Sequence, residues 1–127
     1  MYKNTTSSAI LGGIAVILGA FGSHILKDKL SPAALDSFET AVRYQIYHVL
    51  LIIFINTNEY LKETEKNKIS KVLFIGIFFF SGAIYAIQLL KIPAKLIWFT
   101  TPLGGLFLIF GWFLTAFYFF KKIKYYI

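Results

Sequence analysis

The chain has no cysteine, which removes disulfides, thiolate nucleophiles, CxxC redox chemistry and thiolate metal sites. It has two histidines and six acidic residues, and its charged fraction is 15%, where a soluble globular domain carries about 25%. There is no Walker loop, no HExxH, no GxSxG and no nucleophile triad. His24 falls on one segment and Glu39 and His48 nine residues apart on the next, without ligand spacing, so neither a metal nor a cofactor is expected. These scarcities leave few side chains for catalysis, and a non-enzymatic protein is the expectation.

What fills the chain is apolar: 57% of 127 residues are hydrophobic, and mean hydropathy is +0.68. Four runs, at about 9–26, 38–55, 72–90 and 102–120, are 18 or 19 residues long. At 1.5 Å per residue each reaches about 27 Å, close to the roughly 30 Å hydrocarbon core. The expected fold is an all-α, four-helix transmembrane bundle forming a single polytopic domain over residues 1–127. The net charge of +7 sits mainly at the ends of the runs, where lipid headgroups rather than nucleic acid are the expected partners. Lys3, the first apolar run and Ala20, Gly22 and Ser23 fit a cleavable signal loosely, but a retained first helix is the expectation. With the N-terminus inside, eight Lys and Arg fall on the inner side and five on the outer, which predicts both termini in the cytoplasm.

Helix 1 is rich in small residues, among them Gly12, Ala15, Gly19 and Gly22. Lipid gives no hydrophobic drive between helices, so small residues mark close backbone approach. They predict a central helix packed on at least two others. Ser31 followed by Pro32 predicts the start of helix 2, and Thr101 followed by Pro102 that of helix 4. Residues 58–68 read as a solvated inner loop and residues 91–100 as a short outer connection. Trp98 marks one interface; Tyr118, Tyr125 and Tyr126 with Lys121, Lys122 and Lys124 mark the other. No internal repeat of the transporter kind is visible.

Helix 2 carries the unusual cluster. At about 100° per residue, Asp36, Glu39, Thr40, Arg43, Tyr44 and Tyr47 share one half of the helix, with His48 at its edge. The other half is apolar except for Gln45. A polar half in a membrane is expected to face the bundle interior or water. Ser81, Tyr85 and Gln88 share a face of helix 3, and His24 and Thr101 lie toward the same leaflet. The expectation is an outer-half polar network with Arg43 as keystone, paired with Glu39 and reaching another helix. Such a network either fixes packing or lines a ligand pocket, and spacing alone leaves both readings open.

The run from Gly19 through Ala20, Phe21, Gly22, Ser23 and His24 to Lys27 resembles the GAFGAH-x-L signature of the YgdD/YwdK family. Phe38 to His48, Ser81-Gly82 with Tyr85, and Thr101 to Gly105 followed by Gly111-Trp112 are similar to its other signatures. These are small bacterial inner-membrane proteins catalogued as domain of unknown function 423 and related to a small eukaryotic transmembrane family. Ser23 stands where the family usually has Ala. The resemblance implies a multi-pass inner-membrane protein and supplies no activity. Gly104, Gly105 and Gly111 join the expected helix-packing positions. The leading expectation is a protein that supports membrane integrity or acts as an accessory subunit, with membrane lipids, further copies of itself or a larger complex as partners. The alternative is a binding or transport protein holding a small ligand, a lipid headgroup or an ion.

Overall fold

A computed structural model describes residues 2–127. Four helices, α1 Lys3–His24, α2 Pro32–Thr57, α3 Glu63–Leu89 and α4 Thr100–Tyr126, run up and down, and the described residues contain no strand. All four are long and apolar enough to cross a membrane. Tight 3₁₀ turns at Leu26–Asp28 and Ala94–Leu96 lie in two of the connections.

The helices outrun their apolar stretches because polar turns stay helical where they leave the lipid. At α2 the Ser31 hydroxyl accepts the Ala34 N–H at 3.2 Å and Pro32 occupies the first turn. At α3 the Glu65 carboxylate accepts the Lys62 N–H at 2.9 Å, and two acidic residues face the positive end of the helix dipole. The expected 58–68 loop therefore shrinks to residues 58–62. The expected cap of helix 4 is also corrected. Phe99 stands at the N-cap with no side-chain bond, and Thr100 donates to the Ile97 carbonyl at 2.6 Å. Pro102 sits within the first turn, where its missing N–H leaves no bond unmade.

The extensive interfaces join α1 to α2, α2 to α3 and α3 to α4. The enclosed helix is α2, with half of its apolar window buried against 17% for α1. Helix 1 is thus at an edge, which corrects its expected central place. Its buried residues Ser8, Ala15 and Gly22 recur every seven positions and form one seam. One seam of small residues serves one neighbour: a Cβ at Gly22 would lie 2.8 Å from the Phe38 ring, whereas one at Gly13 meets nothing within 4 Å. The tightest approach is between α3 and α4, where a Cβ at Gly104 would run into the backbone of Phe79 and Phe80. Gly111 makes room for the Leu73 side chain, and Gly76 for the side chain of Leu108. Val49, Ile52, Ile55, Ile69, Leu73 and Leu108 make the main core, and Ala15, Leu26, Phe38 and Val42 a smaller one between α1 and α2.

Candidate functional site

The buried face of α2 is Phe38, Ala41, Val42, Gln45, His48, Val49, Ile52 and Ile55, spaced by three and four. This is the apolar arc, so the polar half of the helix looks outward. Gln45 is the exception that matters. It is 2% exposed, its Nε2 donates to the Leu11 carbonyl of α1 at 2.7 Å, and its Oε1 accepts the Tyr85 hydroxyl of α3 at 2.7 Å. One carboxamide joins three helices. A second bond crosses nearby: the Ser81 hydroxyl donates to the Ala41 carbonyl at 2.7 Å. Polar groups inside hydrocarbon need partners of this kind.

His48 links α2 to α4. The Trp112 indole N–H donates to its Nε2 at 3.0 Å. An indole only donates, so Nε2 accepts and Nδ1 carries the hydrogen, which it gives to the Tyr44 carbonyl one turn earlier. Both ring nitrogens are engaged. Beside this pair lies a groove of about 620 Å³ between α2 and α4, lined by Tyr44, Tyr47, His48, Gly105, Ile109 and Trp112 among others. Tyr44 stacks on Phe80 with ring centroids 4.8 Å apart.

Arg43 is not a keystone. Its guanidinium is 4.0 Å from Glu39 and 3.0 Å from the Thr40 hydroxyl, both on α2. The Arg43 and Glu39 side chains are about half exposed, at 48% and 46%, and among the described residues no other helix bonds to either. The physical reason is length. Arg43 and Glu39 stand well inside the 26-residue span of α2 but on its outward face, where a long flexible stem lets the charged head reach along the helix toward the headgroups. A carboxamide is too short to do so and must be bonded inside.

The remaining expected residues are dispersed. His24 is exposed at the end of α1. Gln88 lines a separate cleft with Phe21, Lys29 and Leu30. Thr101 is half-buried, and among the described residues its side chain forms no hydrogen bond. Gly12 faces Val49 and Gly19 faces Val42 across the α1–α2 seam, and Gly105 borders Phe80. Among the described residues no three His, Asp or Glu side chains gather as for a metal ion.

A second polar assembly, absent from the sequence reading, sits at the end that carries both termini. The Asn4 amide donates to Asn56 at 3.0 Å and to Asn67 at 2.9 Å, and the Asn56 amide donates to the Ser70 hydroxyl at 2.8 Å. It ties α1, α2 and α3 together. Lys122 of α4 meets Glu65 at 3.1 Å, and Lys66 meets Glu63 at 3.1 Å. Glu65 lies in the polar first turns of α3. Burial works to raise the pKa of its carboxyl, but the Lys62 amide and the Lys122 ammonium outweigh it and hold the group below the usual carboxylate range. For Gln45 the signal was available, a lone carboxamide on the apolar arc of helix 2, which spacing can place but not pair; Asn56, followed by Thr57, Asn58 and Glu59, reads as the polar end of its helix.

A family model described as "Protein of unknown function (DUF423)" matches residues 18–105. A UPF0382 membrane protein of Staphylococcus saprophyticus is 40% identical over 107 residues, covering 81% of this chain and 88% of its own. One from Staphylococcus haemolyticus is 38% identical, covering 81% of this chain and 86% of its own. The UPF0382 inner membrane protein YgdD of Escherichia coli K12 is 33% identical over 106 residues, covering 83% and 79%. No solved structure matches. The chain belongs to the DUF423 family and is a multi-pass membrane protein.

Proposed function

We propose that this DUF423 member is a non-enzymatic inner-membrane protein that works through lateral contact in the bilayer, as an accessory subunit of a membrane assembly or of its own oligomer, and so supports membrane integrity. The observation that carries the reading is the free flank of α1. Only three of its 22 residues are buried, and Ile10, Val16, Ile17 and the open Gly13 are left to meet lipid or another helix. The side chains that a membrane enzyme would need for proton transfer, His48, Tyr85 and Glu39, support it further. His48 and Tyr85 are spent on bonds between and within helices, and Glu39 stands apart on the outward face of α2. The test is Gly13→Leu in protein extracted with mild detergent. The wild type should run as an oligomer or with a stoichiometric partner, and the variant should lose that mass while keeping its unfolding temperature. A wild type that is monomeric and alone in native nanodiscs defeats the reading.

The groove between α2 and α4 favours a second reading, a binder of a small polar-headed ligand, lipid headgroup or ion. Among the described residues the Tyr44 and Tyr47 hydroxyls that line it form no hydrogen bond within the protein and stand available to an occupant. Native mass spectrometry decides it: a small molecule retained by the wild type and lost in Tyr47→Phe supports a binder, and an empty wild type removes it.

A further inference from the structure

The end of the molecule that carries both termini holds two cavities that share a wall. One is a polar cup of about 550 Å³ lined by Tyr60, Lys62, Glu65, Lys121, Lys122 and Tyr126 among others. The other is an apolar groove of about 520 Å³ that shares Tyr60, Lys122 and Tyr126 and continues along Phe119, Ile123 and Ile127. Charge in the cup is unbalanced. Glu65 accounts for Lys122 at 3.1 Å, whereas among the described residues neither Lys62 nor Lys121 has a carboxylate within ion-pair distance. Lys121 is instead held over the Phe117 ring, its Nζ 4.6 Å from the centroid.

We propose that this cup and groove form a site for one anionic glycerophospholipid, the phosphodiester held by Lys62 and Lys121 and an acyl chain lying along Phe119 and Ile123. The site lies where α4 leaves its apolar stretch, the depth at which headgroup phosphates are found. The two cavities in sequence match the two halves of a lipid. A free phosphate has no use for the apolar groove, and an acidic peptide has no reason to enter it. Glu65 and Lys122 form the back wall, and the unpaired lysines give the cup its preference for a negative headgroup. The inference is independent of the lateral-contact reading.

The test is native mass spectrometry of the full chain in mild detergent, offered phosphatidylglycerol or phosphatidylcholine with matched acyl chains. Phosphatidylglycerol should be retained about thirtyfold over phosphatidylcholine, the scale of two lysines at a membrane surface. Lys62→Gln with Lys121→Gln should bring that ratio close to one at an unchanged unfolding temperature. Lys27→Gln with Lys29→Gln, at the opposite end, should leave it intact. Ile123→Gln should lower retention of phosphatidylglycerol while leaving all lysines in place. Equal retention of both lipids by the wild type overturns the site. So does an equal loss from the Lys27 and Lys29 pair, full retention by Ile123→Gln, or displacement of the lipid by inorganic phosphate or by a poly-glutamate peptide.

Discussion

Gln45 bonds to two other helices at once because a carboxamide has a donor at one corner and an acceptor at the other. Removing it strands the Tyr85 hydroxyl in apolar surroundings, although the Leu11 carbonyl lies in the helical ladder of α1 and keeps a partner. Gln45→Met should therefore cost about 1–2 kcal/mol, within the range for a buried hydrogen bond with one partner deleted. Arg43→Met removes a half-exposed pair on a single helix and should stay within about 0.5 kcal/mol. Denaturant titration in mixed micelles measures both. An Arg43 variant that loses as much as the Gln45 variant returns the guanidinium to the centre of the network.

Between elements, contact distance is set by glycine. Gly104 lets the backbone of α4 pass that of α3 at Phe79 and Phe80, so even a methyl group there forces two helices apart. Gly104→Ala should destabilise by about 1–3 kcal/mol, the usual cost of overpacking, less a small gain in helix propensity. Gly13→Ala, with nothing within 4 Å, should be neutral or slightly stabilising. Thermal unfolding in detergent compares them, and equal behaviour would show that the α3–α4 approach is looser than its geometry. The four spans were legible in the sequence because span length and apolar content are properties of each run alone. Of the two helix starts read from a cap and a proline, the one at Ser31 stands and the one at Thr101 does not; at α3 the charged turns from Glu63 read as loop. Helix 1 was misplaced because a small residue announces that something comes close but not how many neighbours do. The polar network was assigned to Arg43 rather than Gln45 because arc geometry separates polar from apolar without distinguishing side chains that can reach the headgroups from those that cannot.

For the whole molecule, an even number of crossings puts both termini and residues 58–62 on one side, and the bonds from Asn4 to Asn56 and Asn67 lie at that end. Eight Lys and Arg lie toward this end and five toward the other, so it is predicted to be cytoplasmic. The absence of cysteine makes the test clean. Single cysteines at positions 3 and 60 should resist an impermeant maleimide in intact cells, while one at position 94 should react. Labelling at positions 3 and 60 with protection at 94 reverses the orientation. The row of helices also bears on how the protein is made. Each extensive interface joins helices that follow one another in the chain. A newly inserted helix therefore finds its main partner already in the bilayer, and no half-built stage waits for a distant segment. Among the described residues the side-chain bonds that skip a neighbour are few: Asn4 to Asn67 and Trp112 to His48. Each can close only when the later of its two helices has arrived, α3 for Asn67 and α4 for Trp112, as a latch on a structure that the order of synthesis has already laid down.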